Sequence, residues 1–280
     1  MTLNDIYHAI DPVALSLGPL QIRWYGLAYV AGFICAFLVI AKLSQRWKIR
    51  INDDAFFTVV FCVIFGVILG GRLGYVLVYG DGYYLQHPEK ILAFNEGGMS
   101  FHGGLVGVVI GGVIAAKITK IPFLTLADMG VVGVPIGLFF GRCANFINGE
   151  LWGAPTDMPW GVVFGGAAGT MPRHPSQLYE ALLEGVVLFI ILFALSRKTP
   201  ARPRGTFFGT FLLFYGLFRF TIEFIRQPDA QIGYLLGTNW FTMGQALSIP
   251  LMVAGVVFLI YAWKTKKPQM GLPDSEISQP

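Results

Sequence analysis

Seven long apolar runs dominate the chain, at Ile22–Ala41, Ala55–Val78, Met99–Ala116, Leu124–Phe146, Leu178–Leu195, Thr206–Ile225 and Thr242–Trp263. Unbroken apolarity over about twenty residues matches a helix crossing about 30 Å of hydrocarbon. It has none of the shorter alternation of an outer-membrane barrel strand. The pattern predicts an all-α, polytopic protein with seven transmembrane helices in a single integral membrane domain over residues 1–280. Three connections, Gly80–Gly98, Asn148–Gln177 and Gln227–Phe241, are long and rich in Gly, Pro, Tyr and Trp. They predict a small folded cap on one face. Glycine and proline recur too often between Trp152 and Pro175 for one continuous helix. Asn52 before Asp53 and Asp54 reads as an N-cap with acidic residues at the positive helix end. Met1–Leu20 has no basic segment ahead of the first apolar run, so no cleavable signal peptide is expected. Gly271–Pro280 reads as a disordered tail.

Three spans carry glycines four apart: Gly66, Gly70 and Gly74; Gly103, Gly107 and Gly111; Gly133, Gly137 and Gly141. Each ladder is a smooth strip on one helix face, where backbones can approach closely. The second, third and fourth spans are therefore expected to form a tight core.

Charge placement sets the orientation. Lys42, Arg46, Lys48 and Arg50, then Lys117 and Lys120, then Arg197, Lys198, Arg202 and Arg204, then Lys264, Lys266 and Lys267 fall in alternate connections and in the tail, residues 264–280. By the positive-inside rule these are cytoplasmic, with the N-terminus outside and the C-terminus inside. The formal net charge of +4 is thus mostly topology, and a nucleic-acid partner is not needed to explain it. With 55% hydrophobic residues, 13% charged residues and a mean hydropathy of +0.62, the chain is too apolar for a water-soluble globule. Cys35, Cys62 and Cys143 lie in separate spans and read as buried, reduced thiols. The four histidines lack a zinc-binding spacing.

The informative cations are those that orientation does not require: Arg23, Arg72, Lys90, Arg142, Arg173, Arg219 and Arg226. Arg142 ends the fourth span, where an arginine near the hydrocarbon costs about 2.5–3.5 kcal/mol on insertion scales. It must be compensated by an acidic partner and, in part, by a lipid phosphate. Tyr215, Arg219, Glu223 and Arg226 are spaced four, four and three apart, which places them on one face of a helix. The stripe with Arg142 carries more positive than negative groups and points to an anion site. Glu180 and Glu184, at i and i+4 in the fifth span, read as counter-ions for these arginines. His102 sits among glycines at the start of the third span, where an imidazole can accept a proton from a thiol or hydroxyl near neutral pH. Arg23-Trp24-Tyr25-Gly26 has the look of an interfacial cluster.

Gly141-Arg142-Cys143-Ala144-Asn145-Phe146-Ile147-Asn148-Gly149-Glu150 resembles the signature of the bacterial prolipoprotein diacylglyceryl transferases. Met99–Gly104, His174–Glu180 and Tyr215–Arg226 are similar to that family's other motifs, in the same order. The likeness runs from about Tyr25 to the last span. It implies a multi-pass enzyme of the bacterial inner membrane with its active site toward the extracytoplasmic side. Such an enzyme moves the diacylglyceryl group of phosphatidylglycerol to the lipobox cysteine of a pre-prolipoprotein signal peptide, forms a thioether and releases glycerol phosphate. No cofactor or metal is implied, and the partners are membrane lipids and the peptide. By the same resemblance Arg142 and Arg219 are the essential arginines, supported by Tyr25, His102, Asn145, Glu150 and Gly153. The residues themselves suggest that Arg142 and Arg219 hold the phosphate, that His102 assists thiol deprotonation, and that Glu150 and Glu223 orient the arginines, with Tyr215 and Arg226 completing the pocket. A secondary transporter for an anionic substrate, or a lipid-binding membrane protein, is the alternative. A transporter would place its polar groups near the midplane in related halves, whereas here they gather at span ends.

Overall fold

The computed structural model describes residues 1–18, 20–80, 82–199, 201–228 and 233–273. It is mostly helical: α1 (Leu3–Ala9), α2 (Trp24–Trp47), α3 (Asp53–Tyr79), α4 (Tyr83–Gln86), α5 (Phe101–Thr119), α6 (Phe123–Asn148), α7 (Ser176–Glu180), α8 (Leu188–Ser196), α9 (Thr206–Ile222) and α10 (Met243–Thr265). Between α7 and α8 the chain makes a π-helical turn, Ala181–Val187, so that Ser176–Ser196 forms one long apolar rod. A two-stranded antiparallel hairpin, β1 (Val13–Leu17) and β2 (Leu20–Arg23), leads into α2. Among the described residues six helices are long and apolar enough to cross a membrane: α2, α3, α5, α6, the Ser176–Ser196 rod and α10. The seventh expected span is shorter. Its helix, α9, is flanked by Gly205, a left-handed cap residue, and by Glu223 at its C-terminus. At 1.5 Å per residue its 17 residues reach roughly 25 Å.

The chain divides into two compact units, residues 47–127 with 269–280, and residues 1–46 with 128–268. In the 47–127 unit the glycine ladders of α3 and α5 face one another. A Cβ on Gly70 would lie 2.8 Å from the Gly107 Cα, and one on Gly74 would lie 2.7 Å from the Gly103 Cα. Arg72 is almost fully buried and donates to the carbonyls of Lys90 (2.7 Å), Ile91 (2.8 Å), Gly97 and Gly98 (3.2 Å). One guanidinium thereby folds the Gly80–Gly98 connection onto α3 and delivers Ser100, whose hydroxyl caps α5. Asn52 caps α3 as its sequence suggests. The start of the expected tail is held: Leu272 N donates to Arg50 O at 2.9 Å. Residues 274–280 lie outside the described residues.

In the other unit the glycine ladder of α6 meets α2. Gly32 opposes Gly137 at 3.2 Å and Gly133 opposes Ala36 at 3.0 Å for an added Cβ, whereas nothing approaches Gly141. The fourth span's smooth face thus takes the first span, a partner that the shared four-residue spacing does not single out. A further close seam joins α9 and α10, where Gly209 meets Gly255 and Gly216 meets the Ser248 carbonyl. At the start of the chain α1, closed by a Thr2–Asp5 capping box, lies against the connection after α6. Tyr7 meets Phe146 and Phe164 edge to face, and Asn4 Oδ1 accepts from Val163 N at 2.9 Å. Cys35, Cys62 and Cys143 are free thiols, half-buried where full burial was expected.

The ladder makes its own test. Gly107→Val should destabilise the protein by about 1–3 kcal/mol, the cost of overpacking, measured as thermal unfolding in detergent. Gly104→Ala, whose Cβ would meet only ordinary contact at 3.6 Å, should be nearly neutral.

Candidate functional site

The polar residues of three segments converge on the carboxylate of Glu180. Arg142, near the end of α6, places Nε 2.6 Å from Glu180 Oε2. Arg219, in the last turn of α9, places Nη1 2.9 Å from Glu180 Oε1, and Arg226, just beyond that helix, places Nη1 3.4 Å from the same oxygen. Glu223 pairs with Arg219 Nη2 at 2.5 Å and Arg226 Nε at 3.7 Å. Glu184, one turn beyond Glu180, reaches Arg142 Nη2 at 3.4 Å. Tyr215 lies one turn before Arg219, stacked on Phe211, and within electrostatic range of Arg142, Arg219 and Glu184. Tyr215 and Arg219 lie on α9 and Glu223 caps its end, but Arg226 stands beyond the helix in a bridge with Gly153, so the stripe expected on one helix face is completed by the following turn. The positive surplus inferred from the stripe and Arg142 is not present, because Glu180 and Glu184 bring the cluster to three cations and three anions.

Burial divides the two signs. Glu180 and Glu184 have no exposed surface and Glu223 almost none, whereas Arg142, Arg219 and Arg226 keep 16, 17 and 12% exposure. A solute or headgroup reaching this cluster meets guanidinium first.

Several local features make the convergence possible. Gly185, in the π turn, lets the chain touch α6 so closely that a Cβ would lie 2.7 Å from Phe139 Cβ. This close approach brings Glu184 to the level of Arg142. Glu223 sits at the N-terminus of α10, where the Thr242 hydroxyl donates to it at 2.6 Å and helix-end N–H groups favour negative charge. A side chain on Gly244 would collide with the Glu223 carboxylate. Asp128, fully buried at the other end of α9, accepts from Gly205 N and Phe208 N at 2.7 Å each and so caps the helix that carries Arg219. The Thr242-to-Gln245 capping box carries a helix-start pattern, Thr followed three residues later by Gln; the packing of Gly244 and the reach of Asp128 carry no local signal.

Arg226 is anchored by the connection after α6. Gly153 bridges Arg226, and Gly153 N donates to His174 O while Ala154 N donates to Ile225 O, both at 2.9 Å. A Cβ on Gly153 would lie 2.7 Å from Ile225 O and from His174 Cβ. The residue thus serves a backbone crossing that only glycine fits. Arg173 ties the same connection together, donating to Ala168 O at 2.8 Å and Gly153 O at 3.2 Å with its guanidinium 4.3 Å over Trp152. His174 Nδ1 lies 3.2 Å from the Tyr179 hydroxyl, which accepts from Trp160 at 2.6 Å, and burial lowers the imidazole pKa.

The remaining sequence-predicted residues lie elsewhere. Asn145 and Asn148 both donate to Glu150 Oε1, at 3.0 and 3.2 Å, and Gln177 Nε2 bonds the Glu150 carbonyl at 2.6 Å. Glu150 is thus engaged with amides, and Glu223 with guanidiniums. Tyr25 is half-buried in the first turn of α2. Its neighbour Trp24 lines a groove of about 190 Å³ with Leu27, Ala28, Phe140, Cys143 and Ile147. His102 belongs to the 47–127 unit, as the exposed second residue of α5.

Apolar helices long enough to span, together with a largely buried Arg/Glu cluster, define a multi-pass membrane protein with a charged centre. Residues 12–261 match the family model described as prolipoprotein diacylglyceryl transferase. The chain belongs to that family. Among its relatives is a protein of Geobacter sulfurreducens, 52% identical over 257 residues, covering 92% of this chain and 97% of the relative. One from Nitratidesulfovibrio vulgaris is 50% identical, covering 89% and 94%, and one from Rhodopseudomonas palustris is 46% identical, covering 96% of each. All three are named phosphatidylglycerol–prolipoprotein diacylglyceryl transferase.

Removing the shared carboxylate leaves three guanidiniums against two carboxylates. Glu180→Ala is expected to cost about 3–5 kcal/mol, as for a broken buried ion pair, read by thermal unfolding. Thr242→Val deletes both the hydroxyl bond to Glu223 and the bond from Gln245 N that caps α10, and should cost about 2–5 kcal/mol.

Proposed function

We propose that this protein transfers the diacylglyceryl group of phosphatidylglycerol to the lipobox cysteine thiol of a pre-prolipoprotein, forming a thioether and releasing glycerol phosphate. The observation that carries the reading is the meeting of Arg142 and Arg219, from two different helices, on one buried carboxylate while both arginine side chains keep some exposure. Family membership and the names of the relatives support it.

In this reading the phosphodiester of the lipid docks against Arg142 and Arg219. The thiol gives its proton to a base, the sulfur forms a bond to the glyceryl carbon, and the carbon–oxygen bond to phosphate breaks with its electron pair leaving on the phosphate. Negative charge grows on that oxygen as the bond breaks. Guanidiniums already fixed by Glu180 and Glu223 stabilise it without reorganising. A thiol of ordinary pKa near 8.5 is mostly protonated at pH 7, and His102 is the proposed base. Arg226 and Tyr215 complete the anion pocket. Asn145 with Glu150 shapes the end of α6, Gly153 holds the Arg226 crossing, and Tyr25 borders the substrate. The carbon electrophile and its leaving group arrive with the lipid, so the proposal invokes no cofactor.

The proposed setting is a bacterial inner membrane crossed seven times, with α9 as the shortest span. The N-terminus lies outside, the tail is cytoplasmic, and the three long connections form the extracytoplasmic cap.

The test is purified protein with phosphatidylglycerol labelled in its glyceryl moieties and a lipobox peptide carrying Cys or Ser. A mass gain of one diacylglyceryl group on the Cys peptide alone is expected; equal labelling of the Ser peptide, or none of either, overturns the reading. Arg142→Ala should lower kcat by about 10²–10³, the range for losing one oxyanion-stabilising donor. His102→Ala should slow single-turnover transfer with both substrates bound by about 10²–10⁴, and an unchanged rate would remove it as the base.

A further inference from the structure

The cluster around Glu180 is electrically closed before any substrate arrives. Three guanidiniums face three carboxylates, and a phosphodiester brought among them leaves a negative surplus in surroundings that tolerate one poorly. A carboxylate must give way, and the contacts differ sharply in what holds each one. Glu180 is engaged by Arg142, Arg219 and Arg226 together. Glu223 is engaged by Arg219, Arg226 and the Thr242 hydroxyl at the start of α10. Glu184 pairs with Arg142 Nη2 at 3.4 Å, long for a charge-assisted bond, and among the described residues its buried Oε1 has neither hydrogen bond nor ion pair, whereas Glu180 Oε2 and Glu223 Oε1, which also lack hydrogen bonds, are ion-paired at 2.6 and 2.5 Å.

We infer that Glu184 is the displaceable counter-ion of Arg142: it occupies the guanidinium edge that the phosphate of the lipid takes, yields it on lipid binding, and reclaims it as glycerol phosphate leaves. The inference rests on the diacylglyceryl-transfer reading and assigns Glu184 as a positioning residue that acts through Arg142. Its place in the chain suits the task. Glu184 sits in a π-helical turn between two α-helical segments, the kind of local widening that recurs at functional sites and can be adjusted without unfolding the flanking turns. Glu180, in the regular α-helical turn before it, stays as the fixed partner that keeps Arg142 and Arg219 aimed at the same point.

A competing carboxylate weakens anion binding, so removing its charge should tighten it, whereas a residue that merely supports Arg142 gives the opposite sign. In the full-length protein, Glu184→Gln is expected to lower KM for phosphatidylglycerol and Ki for glycerol phosphate five- to tenfold each. The same variant should lower kcat as release of the phosphate product slows. KM and Ki unchanged or raised in Glu184→Gln overturns the inference. Should that variant fail to melt as a folded protein, Glu184→Asp decides, because its shorter carboxylate stands further from Arg142. It is expected to tighten both constants two- to threefold, and no tightening again overturns the inference. Equilibrium binding of glycerol phosphate, measured without turnover, separates the two claims. If the wild type transfers no diacylglyceryl group the functional reading fails, while the shift in glycerol phosphate affinity still decides whether Glu184 competes for Arg142.

Discussion

A carboxylate with no access to water has to be matched by positive charge, and Glu180 is matched by three guanidiniums from two helices and the turn after one of them. The surrounding unit is arranged to satisfy that requirement. Gly185 brings the rod that carries Glu180 and Glu184 against α6, Asp128 caps the far end of α9, and Gly244 leaves room for Glu223 at the start of α10. Gly153 clamps the segment that holds Arg226. Each of these is a small residue or a cap that contributes no chemistry to a substrate. Each sets the position of a charge that would be costly if displaced by an ångström or two.

Much of this arrangement could be read from periodicity. The apolar runs predict the spanning helices, and the spacing of Tyr215, Arg219 and Glu223 follows one face to the end of α9, whereas Arg226, counted on the same face, falls in the turn beyond it. The insertion cost of Arg142 requires an acidic partner, and Glu180 and Glu184 stand out as the carboxylates able to supply one. Periodicity assigns residues to a face but does not say which other face lies opposite. The ladders in α3, α5 and α6 share a four-residue spacing, yet α6 takes α2, whose matching surface is only Gly32 and Ala36. The α9–α10 seam escapes the same search because its glycines stand seven apart on α9, and of the two only Gly209 meets a glycine, Gly255, while Gly216 meets the Ser248 carbonyl. Likewise α1 and the hairpin before α2 fall in a stretch with no apolar run. Their signals, the Thr2–Asp5 box and the turn at Gly18, are local and short.

Charge counting from sequence misleads for a related reason. The stripe on α9 is positive when counted with Arg142 alone, and balanced once the carboxylates of another helix are included. Neutrality in the resting state is the physical expectation for a cluster this deeply buried, since an uncompensated charge is expensive there. A site for an anion in such surroundings is therefore recognised less by surplus charge than by unequal bonding: some pairs saturated, others long or half-made.

The unequal exposure of the two signs completes the argument. Carboxylates are sealed and guanidiniums are left partly open, so the geometry stores positive potential at the accessible edge while the opposing charge stays out of reach of solvent. Had the burial been reversed, the same six residues would repel a phosphate. Had all six been exposed, water and salt would screen them to little effect. Arginine suits this division better than lysine, because a planar fork can spend one edge on a fixed carboxylate and offer the other to an oxyanion. Two such forks pinned to a shared carboxylate converge without needing to move when charge develops between them.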